Sequence, residues 1–425
     1  MRHWVRVGRR DSGRRHLSWL LAVLVMAPML AACGGREDAD EAFVPWGGES
    51  AVAPTLPPAT PAEHAPAPVG GTPQAVAVTV APTSPTTPVH GLTDAERLAL
   101  QPNELGFVPV MQYHVITTDP ALEADPFVRT AENMRKDLQF LSDQGFFVIS
   151  MREFLANEIA APAGKKPVLL TFDDATASQF RWIEDAVGKR TIDPDTALGV
   201  LEAFFAAHPD FGKGGMFAIL PHNCFADDTP GNTMADCDAK LDWLANNGYE
   251  VANHTMTHAN LDDVTDEQFM EEVGGMEIWL QEHVSGPGLL RGVLVMPFGM
   301  YPDRDLHPGQ RAMMRDGFTY QGQHIVINGA FLVGANPTES PNSAEYDHIF
   351  IARIQANAES LDLWFPMFED GGVSLYVSDG DPMTISVPDP LPADLEGKLD
   401  PEAIVAGGRI LLRYDAETGA MVSGS

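Results

Sequence analysis

The chain has 425 residues, 44% of them hydrophobic, and a formal net charge of -32 at pH 7. That length allows one large α/β domain with additions, or two domains, and the apolar fraction supplies a sizeable core. So acidic a chain excludes nucleic acid and anionic membrane surfaces as electrostatic partners. Its three cysteines, Cys33, Cys224 and Cys237, lack the nearby soft ligands that a structural zinc site requires.

The N-terminus is basic, with Arg2, Arg6, Arg9, Arg10, Arg14 and Arg15, and the run from Leu17 to Ala32 is apolar. This is the pattern of a secretory signal, too short for a transmembrane helix. It ends in Leu30-Ala31-Ala32-Cys33-Gly34, which resembles a bacterial lipobox. The resemblance implies cleavage after residue 32 and a lipid on Cys33. Gly34 in place of an Asp implies sorting to the outer membrane, facing the periplasm or the surface. Residues 33–92 are rich in Pro, Ala and Thr without helical or strand periodicity, and are expected to form a disordered tether.

The folded part is expected from residue 93. Strands are predicted at 108–114, 146–150, 167–172, 215–220, 249–253, 292–296, 324–327 and 348–354. Helices are predicted at 127–144, 151–159, 197–207, 238–246, 265–283 and 311–316. This alternation argues a parallel α/β sheet, open or closed. Residues 359–425 read as a small β-rich extension, with strands at 372–377 and 409–414. In an oxidising compartment Cys224 and Cys237 can pair, a bridge worth roughly 3 kcal/mol; two free thiols are the alternative.

Polar clusters recur at strand ends, where closed α/β barrels carry their chemistry. The strand Pro167-Val168-Leu169-Leu170-Thr171-Phe172 runs into Asp173-Asp174. Another ends in Tyr113-His114, and a third in Asn253-His254-Thr255-Met256-Thr257-His258. The two imidazoles, four residues apart, can share a metal, and Asp174 can add an oxygen ligand. Two His and one carboxylate with a position left open form a catalytic arrangement rather than a structural one.

Thr171-Phe172-Asp173-Asp174 and His254-Thr255-Met256-Thr257-His258 resemble the first two motifs of the polysaccharide deacetylase family, carbohydrate esterase family 4. Val295-Met296-Pro297-Phe298-Gly299 is similar to its third. The resemblance spans about residues 105–355 and implies a deformed (β/α)7 barrel that removes acetyl groups with a divalent metal, zinc foremost. By it, Asp174, His254 and His258 hold the metal, Asp173 is the general base, and the backbone near Phe298 stabilises the oxyanion. Val110-Met111-Gln112-Tyr113-His114 is similar to the opening strand of the circularly permuted branch that deacetylates poly-β-1,6-N-acetylglucosamine. That makes His114 the candidate general acid.

Two departures stand out. The family usually has an Arg two residues before the motif-three Pro, where this chain has Val295, and a Gly after Asp-Asp, where it has Ala175. By the resemblance, the family's Arg orients the base. Arg353 is the candidate substitute for the missing charge and is grouped with Phe298 on the oxyanion and substrate side, with a solvated or ion-paired Arg the alternative. Tyr301, Trp243 and Trp279 are candidates to stack on sugars, though the helical spacing of Trp279 among apolar neighbours favours core packing for it. The expected activity is removal of N-acetyl groups from an envelope or extracellular N-acetylglucosamine polymer. An O-acetyl esterase on the same barrel and a glycan-binding lipoprotein without turnover are the competing expectations.

Overall fold

The computed structural model describes residues 91–422. The expected signal peptide, the lipid-bearing Cys33 and nearly all of the expected tether lie outside the described residues.

Seven strands form a parallel ring: β1 (Val110–Tyr113), β3 (Lys166–Phe172), β4 (Met216–Ile219), β5 (Glu250–Asn253), β6 (Leu289–Val295), β7 (Gly329–Phe331) and β8 (Ile354–Gln355). Their order is β7-β6-β5-β4-β3-β1-β8, while β2 (Phe146–Val148) pairs with β3 outside the ring. The residues just before β8 close the circle. Ile351 bridges Phe331 in parallel, and Leu332 N–H donates to the Ile351 carbonyl at 3.0 Å. The architecture is therefore the deformed (β/α)7 barrel.

Strand alternation sorts the side chains into two cores. Met111, Tyr113, Val168, Leu170, Phe172, Phe217 and Ile219 point outward to the helical layer. Val110, Leu169, Met216, Ala218, Ala252, Val293, Val295 and Phe331 fill the interior. Continuing the interior row upward from Val110 and Leu169 reaches Gln112, Thr171 and Asp173. The interior thus passes from apolar to polar toward the C-terminal ends of the strands.

The outer layer follows from amphipathic spacing. Helix α1 (Asp94–Leu100) precedes the barrel, and α2 (Ala131–Asp143) buries Met134, Leu138 and Leu141 under an N-cap from Thr130. The short α3 (Met151–Leu155) is followed by α4 (Ala197–Ala207), α5 (Cys237–Asn246), α6 (Asp266–Phe269), a π turn, α7 (Gly275–His283) and α8 (Pro308–Asp316). Cys224 and Cys237 are bridged, tying the loop after β4 to the start of α5.

Three expectations need correction. The strand expected at 348–354 is reduced to the isolated bridge at Ile351 and the two-residue β8. The segment at 324–327 is not a ring strand: Gln323–Ile325 pairs antiparallel with Phe318–Tyr320. Gln321 and Gly322, with φ of 47° and 80°, make the two-residue turn of a hairpin. The ring strand is the short Gly329–Phe331. The segment at 372–377 forms only the isolated bridges Asn103–Val377 and Phe107–Leu375.

The C-terminal region opens with a helix, α9 (Ala358–Asp370), that joins the barrel's outer layer. Its Phe365 stacks on Phe140 with ring centroids 4.0 Å apart, and Phe368 meets Phe146 at 5.7 Å. Beyond it, β9 (Thr384–Asp389) and β10 (Ile410–Asp415) pair in parallel, connected through α10 (Pro401–Ala406). Ile385, Val387, Leu395 and Ile404 pack around Leu105, which fastens this unit to the segment leading into β1.

Candidate active site

Parallel pairing brings the ends of β1, β3, β5 and β6 to one rim. Tyr113 is in register with Phe172, so His114 and Asp173 leave the barrel at the same level. Ile219 is in register with Asn253, which puts His254 on that rim too.

Asp173 is almost wholly buried, with 1% of its side chain exposed. Arg353 donates to it through Nη1 to Oδ1 and Nη2 to Oδ2, both at 2.8 Å. Gln112 Nε2 adds a third bond to Oδ2 at 2.9 Å. Burial opposes ionisation here, but the Arg353 charge, aided by His114, overrides it and holds the carboxyl well below the usual carboxylate range. Arg353 starts below the rim and its side chain rises through the interior, fixed by the Leu332 carbonyl and Thr171 Oγ1. It is fully buried. It therefore lies beneath the carboxylate rather than on an oxyanion or substrate face, and takes over the pairing that Val295 cannot make.

His114 Nε2 lies 3.7 Å from Asp173 Oδ2. Its Nδ1 is 3.5 Å from Gln355 Nε2, whose other contact is the Pro126 carbonyl. Burial lowers the His114 pKa against the opposing pull of Asp173 and Asp174.

Asp174, His254 and His258 converge, with one ligand atom from each within 4.8 Å of the others. Asp174 Oδ1 is 3.2 Å from His254 Nε2 and 3.5 Å from His258 Nε2. The Val295 carbonyl accepts from His254 Nδ1 at 2.8 Å. Since a carbonyl can only accept, Nδ1 carries the proton and a neutral His254 turns its Nε2 lone pair toward the Asp174 oxygen. Two lone pairs at 3.2 Å repel unless a proton or a cation lies between them. Burial would lower the His254 pKa, but the hydrogen bond and charge of Asp174 and the charge of Asp173 raise it. His258 is pushed down to about 4 by burial and by the neighbouring His254. A cation suits this donor set, because it meets the carboxylate's charge with both imidazoles neutral.

The loops carrying these groups hold backbone strain. Asp174, Ala175, Thr255, His258 and Phe298 all have positive φ, between 49° and 76°. Such conformations persist only where the surroundings enforce them, and they cluster at functional sites. Ala175 occupies a left-handed conformation where the resembling family has Gly. The Phe298 ring is 57% exposed and lies edge-on to His258 at 4.5 Å.

Of the residues expected from sequence, His114, Asp173, Asp174, His254, His258 and Phe298 come together at the rim, with Arg353 below. Gln112, Gln179 and Gln355 were missed. Gln179 Nε2 bonds the His114 carbonyl at 2.8 Å and also the Asp173 carbonyl, pinning the two strand ends to each other. Gln112 had a legible signal: a polar residue in an apolar strand, two before His114 and on the same face. Asn253 bonds Thr255 N–H and the Val273 carbonyl, both at 2.8 Å, and so shapes the turn after β5. Trp243 and Trp279 pack in the helical layer, and Tyr301 rests on Phe350.

Residues 160–313 match the family model described as polysaccharide deacetylase. The matched stretch holds Asp173, Asp174, His254, His258 and Phe298, and leaves His114 and Arg353 outside. Among solved structures, the chain is similar to BC0361, a polysaccharide deacetylase from Bacillus cereus: identity 17%, coverage 61% of this chain and 69% of that one, TM-score 0.42. It is also similar to IcaB from Ammonifex degensii, at 16% identity over 62% of this chain and 97% of that one, TM-score 0.41. A third is the Streptococcus pyogenes deacetylase PplD in complex with acetate, at 16% identity over 60% and 96%, TM-score 0.40. No protein with a curated description matches the chain.

Proposed function

We propose that the chain is a metal-dependent deacetylase acting on the N-acetyl groups of an N-acetylglucosamine polymer of the envelope or extracellular matrix. The observation that carries the reading is one rim with two adjacent carboxylates in different surroundings. Asp173 is locked to Arg353, while Asp174 faces two imidazoles. The family match over 160–313 supports the polysaccharide deacetylase class.

Asp174, His254 and His258 would hold a divalent cation, and their mixed nitrogen and oxygen donors suit zinc. Such an ion lowers the pKa of a water and polarises an acetyl carbonyl. Asp173 takes the proton of the attacking water. Its pairing with Arg353 and Gln112 keeps it ionised and fixes the direction in which it accepts. His114, 3.7 Å from Asp173, gives a proton to the departing amine nitrogen. The Phe298 ring lies edge-on to His258, and the backbone of its turn is the candidate donor to the oxyanion.

In this reading a lipid on Cys33 tethers the enzyme to the outer membrane, and the Pro/Ala/Thr-rich segment gives it reach. The test is to load the full-length protein with zinc, count bound ions, and follow acetate release from N-acetylglucosamine oligomers and from acetylated xylan. One ion per chain and acetate from the amide substrate support the reading. Acetate from xylan alone makes it an O-acetyl esterase, and metal binding without turnover makes it a binding protein.

A further inference from the structure

Three consecutive carbonyls after β3 are each held by a donor from elsewhere in the chain. Gln179 Nε2 donates to the Asp173 carbonyl, Asn223 Nδ2 to the Asp174 carbonyl at 3.0 Å, and Phe225 N–H to the Ala175 carbonyl at 2.6 Å. The last two donors belong to the turn after β4. Asn223 N–H and Cys224 N–H close that turn on the Leu220 carbonyl, at 3.1 Å and 3.0 Å.

The turn is itself strained and itself held. Cys224 and Phe225 have φ of 35° and 59°, without a glycine's freedom to adopt them, and both are fully buried. Helix α5 fastens them from behind. Its first residue, Cys237, is bridged to Cys224. Lys240, three positions on and so on the same face of the helix, donates from Nζ to the Phe225 carbonyl at 2.6 Å. The Lys240 side chain is fully buried, and its Nζ also donates to the Phe180 carbonyl at 3.2 Å. A covalent bond and a buried ammonium therefore anchor two successive residues of one turn, and that turn anchors Asp174 and Ala175.

Asp174 and Ala175 have left-handed backbone, with φ of 76° and 49°, a conformation that is unfavourable for an L residue unless its surroundings enforce it. Released, the pair would relax toward negative φ. That rotation swings the Asp174 Cβ and carries the carboxylate away from His254 Nε2 and His258 Nε2, which Oδ1 faces at 3.2 Å and 3.5 Å. The bond to the Asp174 carbonyl comes from Asn223, whose neighbour in the chain is the bridged Cys224. We propose that Asn223, braced by the Cys224–Cys237 bridge, is a positioning residue that keeps the Asp174 carboxylate where a cation needs it. The proposal rests on the reading of Asp174, His254 and His258 as metal ligands. It gives the bridge a part in the site as well as in the stability of its loop.

The test uses the full-length chain as wild type, Asn223→Leu, Asn223→Gln and the double variant Cys224→Ala/Cys237→Ala. Zinc affinity is measured by competition with a colorimetric chelator, and melting of the metal-free protein is followed in parallel. Asn223→Leu keeps the volume and removes the donor. It is expected to bind zinc about tenfold more weakly than wild type, as loss of a hydrogen bond that orients a ligand does, with the metal-free melting temperature little changed. Asn223→Gln, which keeps the amide, recovers part of the affinity. The bridgeless chain also binds zinc more weakly. In that chain Asn223→Leu costs less affinity than it does in the bridged one, as expected of two groups that act as one. Acetate release at limiting zinc falls in Asn223→Leu and is restored by excess zinc. Zinc affinity unchanged in Asn223→Leu overturns the proposal, and so do effects of Asn223 and the bridge that simply add. A weaker zinc site that comes with a large fall in metal-free melting temperature traces the effect to the fold and overturns it too. Asn223→Leu retains the bridge, so its result decides the matter even if the bridgeless chain does not fold. Wild type that binds no zinc contradicts the metal reading and this proposal together. Wild type that binds zinc in an Asn223-dependent way without releasing acetate sinks the deacetylase reading and leaves the positioning role standing.

Discussion

Arg353, just before β8, and Asp173, just after β3, face each other through two contacts of 2.8 Å, both side chains buried, from the two strands that flank β1. Breaking a buried pair by removing one partner costs about 3–5 kcal/mol, because the other charge is left stranded. Arg353→Ala should lose stability of that order in chemical denaturation. Arg353→Lys, which keeps a charge but not the planar fork, should lie between it and wild type. Wild-type stability in Arg353→Ala would mean that the pair does not organise the barrel interior.

His114 should matter in proportion to the leaving group. An amine departs from an amide only when protonated, whereas an aryl alcoholate departs unaided. His114→Ala is therefore expected to slow deacetylation of an N-acetylglucosamine oligomer by about 10²-fold or more, in the range of general acid catalysis. An aryl acetate should lose much less. Equal losses on both substrates would assign His114 to holding Asp173 instead of to protonation.

Glu104 is buried at the junction of the C-terminal unit, accepting from Asp379 N–H, Ser386 N–H and Tyr376 Oη. Burial, then the nearby Asp379 charge, push its carboxyl well above the usual carboxylate range despite those bonds. The folded chain thus holds this proton more tightly than the unfolded chain. Its contribution is full below the unfolded pKa and is lost as pH rises through the folded one. Glu104→Gln mimics the protonated form. Its melting temperature, compared with wild type from pH 5 to 8, should improve relative to wild type as pH rises. A gap that stays constant would contradict the raised pKa.

Ala175 has φ of 49° and is fully buried. Ala175→Gly relieves the left-handed strain but loses a packed methyl and gains chain entropy, so its net effect should stay within about 1 kcal/mol. Ala175→Val adds β-branching and volume at the same point and should cost more than about 2 kcal/mol. Urea unfolding of the two variants separates these outcomes.

Much of this site was legible because its groups sit at strand ends in short runs. Asp173-Asp174 and His254 to His258 each follow an apolar strand, and parallel pairing carries them to one rim. Arg353 was visible only as a candidate charge. Its partner is 180 positions away, and no local pattern tells a buried Arg from a solvated one. Gln355 lies beside His114 for the same long-range reason. The sequence pattern places a ring strand at 324–327 and none at 329–331, because a three-residue Gly-Ala-Phe strand carries almost no periodicity. Parallel pairing of β9 with β10 leaves no local signal, because it depends on the crossover through α10.

The central claim is that Asp173 is the base beside a cation held by Asp174, His254 and His258. Acetate release from an N-acetylglucosamine oligomer, measured for zinc-loaded wild type and Asp173→Asn at equal metal content, tests it most directly. The account predicts turnover by wild type and a loss of at least about 10²-fold in the variant. Acetate release unchanged by Asp173→Asn, or absent from the zinc-loaded wild type, would contradict it.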